Sequence, residues 1–201
     1  IAAVDAQLAD ARKQLDELPE PKKSSKLGYH SAIMPAQNET KWVQIDLGEV
    51  LPIDEVTLVP AHVVYGGHPG PGFGFPPNFK VEVCDTPDFV APRVLVDHTS
   101  QPLPHPGDGP VRVAAAGAAG RYVRVTATRL WQRTFDWIFA LAEVQVRSGP
   151  TNVALSKEVT ALDSIEAPPS WATVNLVDGY GSEHALVDGA TAKRRALEAE
   201  I

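Results

Sequence analysis

The 201-residue chain carries 18 Lys and Arg against 25 Asp and Glu, a net charge of −7, and 44% of its residues are hydrophobic. That supplies enough apolar surface for one full core, while the acidic balance argues against nucleic acid as a partner, since no basic field exists to displace counterions from phosphates. No apolar run approaches a membrane span, and a lone cysteine, Cys84, excludes both an internal disulfide and a thiolate-rich zinc site.

The chain opens at Ile1 with no basic-then-apolar leader, and reads as a piece cut from something longer. From Ile1 to Leu18, apolar Val4, Leu8, Ala11 and Leu15 recur at helical spacing, and Pro19 and Pro21 stop the pattern, so residues 1–22 are expected to be an amphipathic helix and a linker. From Lys41 the period becomes two. Strands are expected at Trp42–Gly48 and Ile53–Val59, the first ending in a Gly turn. Tyr65–Pro77 (YGGHPGPGFGFPP) fits neither a helix nor a central strand and is expected to be a long exposed loop. Further strands follow at Phe79–Cys84, Arg93–Val96, Val111–Ala114, Arg121–Thr128 and Leu141–Arg147, with a second Pro-rich loop at Gln101–Pro110. Many short strands with turn signals between them indicate an all-β sandwich or barrel. In WVQIDLG, Val43, Ile45 and Leu47 fall on one face and Gln44 and Asp46 on the other; Val123, Val125 and Ala127 likewise oppose Tyr122, Arg124 and Thr126. Trp42 is expected in the core with Ile45. Gly149–Pro150 marks a boundary, with a new unit from Asn152 to Gly179 and a charged helix from Thr191 to Ile201.

The strands WVQIDLG, IDEVTLV, FKVEVCDTPDF, GRYVRVTATRLW and LAEVQV, in this order and spacing, resemble the F5/8 type C (discoidin, galactose-binding-like) domain over about residues 24–148. Asn152–Gly179, with NVALSKEVTA and NLVDG, resembles the opening of a second copy. The resemblance implies a discoidin-like jelly-roll β-sandwich of about eight strands with short flanking helices at both termini, organised as 1–22 helix and linker, 23–148 sandwich, and 149–201 an incomplete second unit with a C-terminal helix. It also implies ligand loops at one end, and a bacterial rather than eukaryotic origin, because the terminal disulfide of eukaryotic members is absent.

No GxSxG, HExxH or Walker loop is present, and the six His are scattered without metal spacing, so the chain itself is expected not to be an enzyme. Sugars present apolar faces that stack on rings and hydroxyls that need planar polar partners. Two loops carry such residues: Tyr65, His68, Phe73 and Phe75 in the Gly/Pro stretch, and Trp131, Arg133, Phe135, Asp136 and Trp137 before the last strand. His62 stands at a strand end. The expected ligand contacts are His62, Tyr65, His68, Phe73, Phe75, Arg133, Asp136 and Trp137; the opposing reading is that the rings plug the sandwich rim. Family members resembling this chain hold a structural calcium, with a Glu of the last strand matched by Glu143. The Asp-Gly-Asn loop before WVQIDLG is not matched, and MPAQNET offers only Asn38, Glu39 and Thr40. No cofactor is expected, a calcium on Glu143 and Asn38 standing as the alternative, and chelation is expected to leave stability unchanged. The function implied is a non-catalytic carbohydrate-binding module of a larger exported bacterial protein, at the cell surface, in the periplasm or outside the cell. Its partners would be glycan or cell-surface polysaccharide and neighbouring domains of the parent chain, without membrane insertion. The rival reading is a structural or protein–protein module held against a neighbouring domain by its flanking helices.

Overall fold

The computed structural model describes residues 2–18, 24–64, 70–182, 184–186 and 197. Among the described residues the fold is all-β apart from the helix α1 (Ala2–Glu17), a 3₁₀ turn, Thr173–Val177, and helical Leu197. The strands are β1 (Tyr29–His30), β2 (Lys41–Val59), β3 (Ala61–His62), β4 (Pro71–Phe73), β5 (Asn78–Cys84), β6 (Arg93–Asp97), β7 (Val111–Arg129), β8 (Trp131–Gln132), β9 (Trp137–Ile138), β10 (Ala140–Leu141), β11 (Glu143–Ser148), β12 (Thr151–Asn152), β13 (Glu158–Ala161), β14 (Tyr180–Gly181) and β15 (His184–Ala185). In α1 the expected stripe is present at Ala11, which is buried, with Leu8 and Leu15 half-buried. The helix expected near the C-terminus lies outside the described residues except for Leu197.

Two long antiparallel strands organise the sandwich. β2 pairs with β7 along nearly its whole length, Lys41–Asp46 against Tyr122–Ala127 and Leu51–Leu58 against Val111–Gly120. Each contains two of the separate strands expected from the sequence. The pairing shifts register between Asp46 and Leu51, where Gly48 takes φ +90°, and bulges of this kind let one strand bend from one layer into the other. A Cβ on Gly120 would come within 2.2 Å of Val83 Cγ1, so the bend in β7 admits no larger residue. The inward rows of both halves meet in one core: Val43, Ile45 and Leu47 with Ile53, Val56 and Leu58, and Val123 and Val125 with Val113 and Ala118. β5 and β6 extend the sheet beyond β7, while β11 and β12 extend it beyond β2. Trp42 departs from expectation. Like Gln44 and Asp46 it points away from the core, half-buried, with the Arg124 guanidinium 4.7 Å from its ring centroid.

Residues 151–181 do not stand apart from this sandwich. Gly149–Pro150 is the two-residue turn of the β11–β12 hairpin, with Ser148 opposite Thr151 and Gly149 at φ +56°. β13 pairs with β2, Glu158 opposite Asp46 and Ala161 opposite Val43. Ala154, Leu176 and Val177 enter the main core, and buried Lys41 is ion-paired with Asp163. The segment that resembles a second copy's opening thus fills the edge beside WVQIDLG. The physical reason is that β2 leaves that edge unpaired until β13 supplies its hydrogen bonds.

Candidate functional site

At one end of the sandwich, β8 and β9 form a short hairpin with Trp131 opposite Ile138 and Gln132 opposite Trp137. The tip is closed twice. The Arg133 backbone N–H donates to the Asp136 carbonyl at 2.9 Å, and the Arg133 guanidinium donates through Nε to Asp136 Oδ1, 2.9 Å, and through Nη2 to Oδ2, 2.5 Å. Such a fork has fixed geometry as well as charge. The closure leaves Phe135 outside, 95% exposed. On the other side the hairpin is anchored by Met34, which exchanges both backbone hydrogen bonds with Trp137. Trp137 is half-buried against the core, and its indole Nε1 is buried without a hydrogen-bond partner among the described residues.

Beneath the hairpin lies a small aromatic cluster. Phe73 stacks on Trp171 at 5.9 Å and meets Trp131 at 5.3 Å and His30 at 6.0 Å. His30 is buried, its Nδ1–H donating to the Ser31 carbonyl at 2.6 Å. Burial, with Arg133 nearby, holds its pKa below the usual histidine value despite that hydrogen bond and Asp136.

The expected contacts separate into groups. Arg133, Asp136 and Trp137 share the hairpin. His62 ends β3, half-exposed, its Nδ1 within 2.9 and 3.0 Å of the two Asp108 carboxylate oxygens and its backbone N–H donating to Ser182 Oγ at 2.8 Å. Phe73 and Phe75 face inward, 4% and 1% exposed, so neither offers a ring face to a ligand. Their direction is set by Gly72 and Gly74 at φ +70° and +72°, which turn the chain around each ring. Phe75 packs edge-on against Phe79 at 5.6 Å. Tyr65 and His68 lie outside the described residues. Asp108 and Ser182 join this end without any pattern in the sequence to announce them, because both reach it by tertiary folding.

The calcium alternative has a specific answer in the donor set. Glu143 is fully buried, and its Oε2 and Oε1 accept the backbone N–H groups of Asp178, 3.1 Å, and Gly179, 3.0 Å. The Asp-Gly pair therefore does meet a Glu of the closing strand. Burial and the adjacent Asp178 push the Glu143 carboxyl up to about 9. Lys26 Nζ stands 2.9 Å from Asp178 Oδ2, within ion-pair reach but out of line for a hydrogen bond. Calcium takes six to eight oxygens. Here both Glu143 oxygens face N–H donors and an ammonium already stands beside Asp178. Asn38 is exposed in the turn before β2 and shares no hydrogen bond with Glu143. Among the described residues no three His, Cys, Asp or Glu side chains gather as metal ligands. Among the described residues, these side chains alone do not supply a calcium coordination shell.

No family model and no curated protein matches the chain. Among solved structures it is similar to CpGH89CBM32-6 of Clostridium perfringens, with 18% identity over 58% of this chain and 75% of that one, TM-score 0.39. It is also similar to the lectin domain of lectinolysin complexed with Lewis B antigen, with 21% identity over 60% and 70%, TM-score 0.36. A third is chitosan-binding module 1 of a chitosanase/glucanase from Paenibacillus sp. IK-5, with 15% identity over 65% and 100%, TM-score 0.39. No helix among the described residues is long and apolar enough to cross a membrane.

Proposed function

We propose that this sandwich is a non-catalytic carbohydrate-binding module of a larger exported bacterial protein, taking glycan at the loop end built around the β8–β9 hairpin. The observation that carries the reading is Phe135, an aromatic side chain 95% exposed at the tip of a hairpin closed by a bidentate ion pair. Exposing a whole phenylalanine ring to water costs burial free energy on the order of 1.5–3 kcal/mol that a core position would have recovered. A ring held this way suits the apolar face of a pyranose. Arg133 and Asp136 offer edges for hydroxyls, Trp137 supplies the floor, and His62 with Asp108 lines the same end of the sandwich. Phe73 and Phe75 support the floor from beneath instead of touching sugar. Binding is expected to be weak, because little area is covered and the site is wet.

A second reading, a protein-docking module, is favoured by α1, whose Ala11 is buried on a helix with exposed polar faces. The two are separated by a glycan array on the purified chain, followed by calorimetric titration of the best ligand. The carbohydrate reading expects at least one glycan to bind. No heat from any sugar at millimolar concentration overturns it.

A further inference from the structure

Two residues far apart in the sequence are buried without belonging to the sandwich. Ala11, in the middle of α1, is 5% exposed and Leu197 is 7% exposed, yet neither joins any of the three apolar clusters of the core. Leu197 is itself helical. Along α1 the cover is periodic. Leu8, Leu15 and Leu18 are half-buried on either side of Ala11, while Asp10, Arg12, Lys13, Asp16 and Glu17 are exposed. A solvated helix leaves its side chains in water, so another segment lies along this stripe. Residues 8, 11, 15 and 18 recur at the spacing that a second helix covers.

The course of the chain supplies that segment. The chain enters and leaves the sandwich at one place: Ser182 Oγ donates to the Leu27 carbonyl at 3.4 Å, Lys26 Nζ stands 2.9 Å from Asp178 Oδ2, and Leu27 and Leu186 pack against the same apolar cluster. The end of α1 nearest the sandwich in sequence is Glu17, and the end of the helix expected over Thr191–Ile201 nearest it is Thr191. Two helices that leave from one spot by these ends run antiparallel. Their lengths also match, since Thr191–Ile201 as a helix is about 16 Å long and Leu8–Leu18 spans about 15 Å. We propose that Thr191–Ile201 packs antiparallel along the Leu8–Leu18 stripe of α1, with Leu197 over Ala11, so that the sandwich is carried on a two-helix stalk made by its own flanking segments. The small Ala11 lets a partner helix approach, and Leu197 is the large residue that fills the space opposite it. A helix pair restrains how the sandwich is presented where a single flexible linker would not.

The test is cross-linking of cysteine pairs in the full chain with a short bifunctional maleimide, read by peptide mapping, with buried Cys84 left in place and the parent chain as background. Ala11→Cys with Leu197→Cys, and Leu8→Cys with Ile201→Cys, are expected to join within one chain. Leu18→Cys with Ile201→Cys, about 16 Å apart along the pair, is expected to stay open. In a second measurement, Leu197→Asp should uncover the stripe and speed tryptic cleavage at Arg12 and Lys13 about tenfold. Thermal unfolding of the sandwich, followed by tryptophan fluorescence, should stay with the parent. Links formed only between chains would put a second copy on the stripe and overturn the proposal. So would the absence of an Ala11–Leu197 link, preferential linking of Leu18 with Ile201, or unchanged cleavage in Leu197→Asp. Glycan binding enters none of these readouts, so failure of the loop-end reading leaves the helix pairing untouched.

Discussion

Two aromatic stretches, Phe73–Phe75 and Trp131–Trp137, look alike in the sequence and do opposite things in the fold. In the first, alternate glycines at positive φ turn both rings into the sandwich, where Phe73 stacks on Trp171 and Phe75 packs edge-on against Phe79. In the second, an Arg and an Asp three residues apart clamp the hairpin across its tip and leave Phe135 in water. Ring direction depends on backbone conformation and on who closes the turn, not on aromatic content. An aromatic flanked by glycines can be drawn inward, while one between charged partners that pair with each other is left outside.

The contrast can be broken from either side. The largest effect is expected at Phe75→Ala, which empties a fully enclosed ring site and should cost about 3–5 kcal/mol in denaturant unfolding. A loss under about 1 kcal/mol would mean the ring is not part of the core. Gly74→Ala comes next. Its new Cβ would stand 2.5 Å from Ala140 Cβ at φ +72°, and overpacking with backbone strain should cost about 1–3 kcal/mol, read as a lowered melting temperature. Asp136→Ala opens the clamp. Both side chains of the pair are mostly buried, 15% and 25% exposed, so a stability loss of about 1 kcal/mol is expected, together with weaker glycan binding as Phe135 loses its fixed position.

A smaller effect should follow pH. His30 is held neutral in the fold because burial and Arg133 oppose its protonation, and Asp136 and the Ser31 carbonyl only partly offset them. Its folded pKa lies below the ordinary 6.5, so the unfolded chain takes up a proton that the folded chain refuses. Stability is therefore full above that value and declines as pH falls through it. His30→Gln should flatten this slope in melting curves; an unchanged slope would assign it to other groups.

Much of the scaffold was legible because alternation is a local signal. Val43, Ile45 and Leu47, Phe79, Val81 and Val83, and Val123, Val125 and Ala127 all face the core as their period of two requires. The same alternation puts Trp42 with Gln44 and Asp46, yet hydrophobicity alone suggested a core tryptophan. Arg124 stacked over its ring is a cross-strand partner that only the register reveals. The fusion of paired strands into β2 and β7 was hidden, since Gly48 ends a strand by propensity but bends one when a neighbour continues the ladder. Gly149–Pro150 read as a domain boundary for a similar reason: the residues that make a linker also make a tight hairpin turn. At the loop end, Arg133, Asp136 and Trp137 were recognisable by type, but the exposure of Phe135 and the burial of Phe73 and Phe75 are outcomes of packing that no single-chain pattern encodes.

The most direct measurement is calorimetric titration of the best-binding glycan against the parent chain and Phe135→Ala, with a melting curve for each. Phe135 makes no core contact, so its removal should leave stability within about 0.5 kcal/mol. The expected result is that Phe135→Ala melts with the parent and shows no measurable binding heat. A variant that melts with the parent and binds glycan as tightly would contradict the assignment of the hairpin tip as the sugar platform.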